Sequence, residues 1–233
     1  LYYVDYLCVH SRHRKKGIAP KTIYSHYVNH RYKHDNVIFF FKREGETTMI
    51  VPLTIYKIYL FDIKYWDKTA EFGHPDYEIL YLSQQNMNLF IEIYDRMKAK
   101  FECVISPNIQ NILKLCDEKH LYIILILHNK QPIGFYVFRN PYTSYHGEKS
   151  MELTNSYSET TDEIFALGFL KCLNELYKKE NFRYLLMEDL SNNNKIKKIL
   201  NRRYRPIQQS ISSYYFYNFA YIPKHSNQTF ILN

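Results

Sequence analysis

The 233-residue sequence predicts a mixed α/β fold, α+β in its sheet, arranged as two lobes. Three observations carry that expectation. A strand-like opening, Tyr2-Tyr3-Val4-Asp5-Tyr6-Leu7-Cys8-Val9-His10, runs through a basic loop into a helix-like segment. An apolar hairpin fills 121–138. Beyond it, strands and helices alternate to the end of the chain. At this length one large domain or two small lobes are possible, and either buries a real core.

In order, the first lobe reads as the opening strand, the loop Ser11-Arg12-His13-Arg14-Lys15-Lys16-Gly17, and a helix over about 20–31. Pro20 suits the first helical turn, where its missing N–H costs nothing. Strands follow around 37–41 and 55–61, and polar residues at about 67–75 mark a boundary. The second lobe opens with a helix within 84–100. Its hairpin pairs 121–127 with 133–138 through His128-Asn129-Lys130-Gln131-Pro132. A strand near 151–157 precedes a helix capped by Thr161-Asp162 and running to about 179. A buried strand over 184–187, a basic helix over 192–203 and a final strand over 213–221 complete the pattern.

Composition sets bounds without choosing a function. The net charge of +8 suits an anionic ligand, nucleic acid or an acidic membrane. Cys8, Cys103, Cys116 and Cys172 are scattered with no Cys-x-x-Cys, which favours a reducing compartment and hence a cytoplasmic location. No apolar run reaches the ~18 residues of a membrane span, and no signal peptide is visible.

The loop carries the chemistry. A strand, a basic turn and a helix N-terminus gather backbone N–H groups, the positive end of the helix dipole and several cations in one place. That arrangement holds a diphosphate. A solvated charge cluster or a nucleic-acid patch is the duller reading of the same residues. Arg14, Gly17 and Ala19 follow the form Arg-x-x-Gly-x-Ala, which resembles the pyrophosphate loop of GNAT acyl-CoA transferases. The order of helix, hairpin, strand, helix, strand, helix and strand in the second lobe is also GNAT-like. After its central strand, however, Ser156-Tyr157-Ser158-Glu159-Thr160 is acidic and glycine-free.

The longer string Val4-Asp5-Tyr6-Leu7-Cys8-Val9-His10 with Arg14-Lys15-Lys16-Gly17-Ile18-Ala19-Pro20 resembles the first signature of N-myristoyltransferases. Val4, Leu7, Cys8 and His10 match it, Tyr6 replaces a Phe, and Tyr3, Asp5 and Ser11 depart from it. Further along, Pro132-Ile133-Gly134-Phe135-Tyr136, Asn181-Phe182 through Asp189-Leu190, and Tyr214-Tyr215-Phe216-Tyr217-Asn218-Phe219 are similar to family segments. The chain closes with Phe230-Ile231-Leu232-Asn233, like the family's short aliphatic tail. The family's second, glycine-rich signature is replaced by Tyr204-Arg205-Pro206-Ile207-Gln208-Gln209-Ser210.

The resemblance implies two GNAT-like lobes, the first incomplete, with the start of that lobe lying upstream of Leu1. Residues 1–70 would be the C-terminal part of an acyl-CoA-binding lobe, and 71–233 a peptide-binding lobe. It implies a glycylpeptide N-tetradecanoyltransferase: myristoyl-CoA as co-substrate, an N-terminal-glycine peptide or protein as acceptor, no prosthetic group, no metal, and no nucleic-acid partner. The α-carboxylate of Asn233 would be the base, and the backbone N–H groups of Tyr6 and Leu7 the oxyanion donors. Cys8, Val9, Arg14, Lys15, Lys16, Gly17, Ile18 and Ala19 would hold acyl-CoA. An amine with a reference pKa of ~8 must lose a proton before attacking the thioester. An apolar surround such as Phe230-Ile231-Leu232 would raise the carboxylate's pKa towards neutrality.

Duller readings apply to single residues. Cys8 and His10 alternate onto one face of an apolar strand, where Cys8 reads as a core residue rather than a nucleophile. His26, His30 and His34 share a helix face at spacing i, i+4, i+8 but lack a carboxylate or Cys at ligand spacing. Tyr214 to Phe219 could stack bases; packing into a core is the commoner use of such a strand. Two other functions stay open: a catalytically inactive binding relative, which the lost glycine signature favours, and a basic nucleic-acid module.

Overall fold

The computed structural model describes residues 1–4, 7–34, 36–45 and 50–232. In chain order its elements begin with β1 (Tyr2–Val4), α1 (Ile18–Arg31), β2 (Phe39–Glu44), β3 (Thr54–Asp62) and β4 (Tyr77–Tyr81). Next come α2 (Met87–Lys98), β5 (Cys103–Ile105), α3 (Ile109–Asp117), β6 (Leu121–His128), β7 (Gln131–Arg139) and β8 (Ser144–Tyr145). The chain ends with β9 (Glu148–Ser158), α4 (Asp162–Glu180), β10 (Tyr184–Glu188), α5 (Asn193–Leu200), β11 (Gln208–Tyr217) and β12 (Thr229–Ile231). Two compact units result: Leu1–Ile55 with Ile211–Lys224, and Tyr56–Ser210 with His225–Asn233.

In the first unit β2 is central, parallel to β1 and antiparallel to β11. Aromatic side chains make this sheet. Phe40 stacks on Tyr214 at 4.9 Å between ring centroids and Phe41 on Tyr215 at 5.4 Å, the cross-strand pairing that favours aromatics in strands. Tyr214 and Tyr215 are buried, as the packing reading of that strand expects. Helix α1 lies against the sheet through Tyr27, whose ring meets those of Phe39 and Tyr217, and its Ile23 is buried.

Local details differ from the sequence reading. The opening strand ends at Val4 rather than at His10, and Leu7 to His10 carry no regular structure. Helix α1 starts at Ile18, so Pro20 is its third residue, still inside the turn whose N–H groups have no helical partner.

The second unit is built on the sheet order β3-β10-β9-β7-β6-β4. Strands β9 and β10 are parallel, and the other neighbours are antiparallel. The expected hairpin is β6 and β7, with Asn129 and Lys130 at positive φ in the turn. Strand β6 is buried and predominantly apolar from Leu121 to Leu127 because both its faces are covered. Tyr122, Ile124 and Ile126 join the core under α4 and α5, while Leu121, Ile123, Leu125 and Leu127 join the core under α2 and α3. Helix α4 begins as expected: Thr161 accepts from the Ile164 N–H at 3.4 Å, and Asn181, at φ 49°, ends the helix. Gly134 sits where a Cβ would lie 2.8 Å from the Tyr157 carbonyl oxygen, so β7 and β9 pair there because no side chain intervenes.

Among the described residues five elements lie outside the sequence expectation: β4, β5, α3, β8 and β12. Strands β5 and β12 form a separate parallel pair, Phe230 opposite Val104, and α3 is capped by the Asn108 side chain.

Candidate functional site

The basic loop of the first unit is built from its backbone. After β1 a short 3-10 turn covers Ser11–His13, with His10 Nδ1 accepting from the Arg12 N–H at 3.4 Å. Arg14 folds back and donates from Nε to the Val9 carbonyl at 3.2 Å. Lys15, at φ 62°, and Gly17, at φ 70°, then turn the chain through the left-handed region into α1. At Gly17 that conformation suits glycine, and the space beside its Cα is open. Lys21 donates to the Gly17 carbonyl at 3.2 Å, so the N–H groups of Ile18 and Ala19 lie ahead of the helical ladder. The first turn carries no acid, and Arg12, Arg14, Lys15 and Lys16 are exposed around it. The arrangement can receive an anion.

This loop brings together Arg14, Lys15, Lys16, Gly17, Ile18 and Ala19 of the expected site. Val9 is half-buried and Leu7 is 38% exposed. Cys8 is exposed, which corrects its reading as a core cysteine: β1 stops before it, so no paired strand carries it inward. Tyr6 and Asn233 lie outside the described residues. The three histidines do not share a helix face either. Helix α1 ends at Arg31, leaving His34 beyond it, and His30 packs its ring 4.6 Å from that of Tyr2.

In the second unit the corresponding turn, between β9 and α4, is closed from within. The Ser158 N–H donates to Asn192 Oδ1 at 3.0 Å, that of Glu159 to the Ile133 carbonyl at 2.9 Å, and that of Thr160 to Ser158 Oγ at 3.1 Å. Glu159 adds an anion there, held by Arg96 Nε at 3.1 Å. The N–H groups of Ser158, Glu159 and Thr160 are thus already paired, and the Arg96 cation there is paired with Glu159.

Beside it, β9 and β10 stop pairing after Leu153 and Met187, and polar side chains fill the opening. Asn193 donates from Nδ2 to the carbonyls of Glu188 at 2.8 Å and Thr154 at 3.0 Å, and accepts from Ser156 Oγ. Ser191 Oγ accepts from the Ser156 N–H at 3.0 Å. These residues escaped the sequence reading; the run Ser191-Asn192-Asn193-Asn194 after a buried strand was the available signal.

The described part of the tail is buried. Phe230 and Ile231 are fully buried and Leu232 is 2% exposed. Phe230 packs against Tyr94, Phe101 and Phe135 in the core beneath α2. Burying a Phe side chain contributes roughly 1.5–3 kcal/mol, enough to hold a short terminal strand in place.

Elsewhere in the unit, Lys197 donates to Asp189 and, at 3.2 Å, to the Tyr59 hydroxyl. Desolvation is the largest single influence and works against that ammonium, but the hydrogen bond to the Asp189 carboxylate, the attraction of its charge and the Tyr59 hydroxyl together raise its pKa. Among the described residues no three His, Cys, Asp or Glu side chains converge as metal ligands, and no helix is long and apolar enough to cross a membrane.

No protein-family model matches the sequence, and no curated protein matches it. Solved structures do match in fold. Saccharomyces cerevisiae N-myristoyltransferase with bound myristoyl-CoA superposes with a TM-score of 0.72 at 13% identity, over 96% of this chain and 60% of that one. A tandem GNAT protein from the clavulanic acid biosynthesis pathway gives 0.58 at 12% identity, over 94% and 76%. A GCN5-related N-acetyltransferase from Kribbella flavida gives 0.52 at 12% identity, over 92% and 51%. The chain therefore has a mixed α/β, GNAT-like acyltransferase fold, and it spans 60–64% of the length of the N-myristoyltransferase chains it matches.

Proposed function

We propose that this chain is part of an N-acyltransferase that moves a myristoyl group from myristoyl-CoA to the N-terminal glycine amine of a peptide or protein. The observation that carries the reading is the contrast between the two turns. The turn into α1 is basic and open, with Gly17 at its mouth; the turn into α4 has the N–H groups of Ser158, Glu159 and Thr160 paired within the unit and an acid beside them. One unit suited to a diphosphate, Leu1–Ile55 with Ile211–Lys224, and one less suited, Tyr56–Ser210 with His225–Asn233, is the division expected of an acyl-CoA lobe and a peptide lobe, drawn with other bounds than the 1–70 and 71–233 of the sequence reading.

In this reading Arg14, Lys15, Lys16, Gly17, Ile18 and Ala19 hold the diphosphate, with Cys8 and Val9 beside the acyl-CoA. The α-carboxylate of Asn233 takes the proton from the glycine amine. The amine attacks the thioester carbonyl, and the N–H groups of Tyr6 and Leu7 stabilise the oxyanion, worth ~3 kcal/mol each when aligned. Collapse expels the CoA thiolate, which takes up a proton. The buried Phe230-Ile231-Leu232 supports the placement of the base, since an apolar surround raises a carboxylate's pKa.

Single-turnover transfer from myristoyl-CoA to a short Gly-peptide tests this. Removing Asn233, or adding a C-terminal tag, should lower transfer by ~10²-fold or more with acyl-CoA binding retained, whereas Asn233→Gln should be nearly neutral. Full activity in the tagged protein would exclude the carboxylate mechanism. The glycine-free stretch at Tyr204 to Ser210 favours a second reading, a non-catalytic acyl-CoA-binding relative. Retained acyl-CoA binding without transfer by the intact full-length protein would select it.

A further inference from the structure

Strand β12 is held differently on its two edges. Leu232 donates to the Ile105 carbonyl at 2.8 Å, and Gln228 accepts from the Glu102 N–H at 3.0 Å, so these residues present their peptide groups to β5. Along a parallel ladder alternate residues face opposite edges. Ile231 therefore turns its N–H and C=O away from β5, into an interior where both would be left unpaired. One side chain meets both. Asn155, fully buried on β9, donates from Nδ2 to the Ile231 carbonyl and accepts from the Ile231 N–H at Oδ1, 3.3 Å away.

An amide is the group for this task, since it offers one donor and one acceptor side by side. A Gln would reach one methylene too far, and a carboxylate would keep the acceptor and lose the donor. The flanking residues do other work: Thr154 donates to the Val137 carbonyl at 3.2 Å, and Ser156 faces Asn193 and Ser191. Ile231 is two residues from the terminal carboxylate, so whatever fixes its peptide groups fixes the origin from which that carboxylate extends.

We infer that Asn155 is a positioning residue for the proposed base: it sets the depth and direction of the last two residues by gripping Ile231. This rests on the role proposed above for the α-carboxylate of Asn233. Asn155 touches no reacting atom; it acts through the strand.

The test uses the full-length protein with myristoyl-CoA and a Gly-peptide. Asn155→Ala should lower kcat at pH 7 by ~10- to 100-fold, in the range of a misplaced general base, with acyl-CoA affinity unchanged. The ratio of wild-type to variant kcat should shrink as pH rises past ~8, because the amine then loses its proton unaided. Hydrogen exchange at the Ile231 amide should quicken in the same variant. Should Asn155→Ala fail to fold, Asn155→Asp preserves volume and the acceptor. It too should speed exchange at Ile231, and its added anion should move the acid limb of the rate profile to higher pH. Wild-type kcat in a variant with a loosened tail, or a ratio constant across pH, would overturn the inference. If the wild-type protein transfers no acyl group, the function fails first; unchanged exchange at Ile231 in both variants would then remove the positioning role as well.

Discussion

Asn193 donates from its side-chain amide to the Thr154 carbonyl at 3.0 Å, bridging β9 and the start of α5 where β9 and β10 part. The same amide reaches the Glu188 carbonyl at the end of β10 and receives Ser156 Oγ. A parallel pair that splays leaves inward carbonyls without partners, and this side chain supplies them.

Asn193→Ala should therefore destabilise the second unit by about 3 kcal/mol, since several buried groups lose partners at about 1–3 kcal/mol each. Asn193→Asp should be comparably damaging, because a carboxylate cannot donate to either carbonyl. Urea denaturation of both variants checks this. A loss under 1 kcal/mol in each would show that water satisfies the opening.

Gly17→Glu should abolish acyl-CoA binding while leaving the fold largely intact. The position is open to solvent, so the side chain meets no steric obstacle, but it places an anion at the mouth of a basic loop. The left-handed backbone adds a strain of about 1–2 kcal/mol for any side chain with a Cβ. Isothermal titration with acyl-CoA decides between a ligand site and a solvated charge cluster; unchanged affinity selects the cluster.

Arg183 holds Asp62 through contacts of 3.2, 3.1 and 2.7 Å. The guanidinium hydrogen bond keeps the carboxyl below its ordinary range despite desolvation. A depressed folded-state pKa means the stabilisation is complete above the unfolded value of about 3.9 and disappears as pH falls through the folded value. The Tm gap between wild type and Asp62→Asn should be full at pH 7 and close as pH falls below the ordinary carboxylate range, through the lowered folded-state value. A gap independent of pH would assign the effect to packing.

Alkylation should rank the cysteines. Cys8 is exposed and should react first with iodoacetamide. Burial pushes the Cys116 thiol up to about 11, which slows it, and raises the fully buried Cys172 far enough that it reacts only after unfolding. Peptide mapping by mass spectrometry gives the order, and early labelling of Cys172 would contradict the packing around α4.

Legibility in the sequence followed the range of the interactions. The β6–β7 hairpin, the Thr161 cap and the basic loop are specified by neighbours a few residues apart, and each was readable. Strand β5 was not, because its three residues pair only with β12, and neither segment alternates long enough to show a period. Strand β1 was overread, since an apolar run does not reveal where its partner stops. Asn155 and Asn193 were invisible as site-builders: nothing local separates an asparagine that bridges buried backbone from one in a turn.

The route of the chain also governs how the protein is made and cut. Ser212 bonds to Arg43 across 169 positions and Gln228 to Glu102 across 126, so each unit is closed by a segment remote in sequence. Loop closure over such distances is slow, and it leaves the sheet edges and the Phe230 pocket uncovered while the chain searches. Neither unit can be excised as one continuous fragment. Expression of 56–210 alone should yield an aggregation-prone species, and a minimal second unit has to splice the final strand back in.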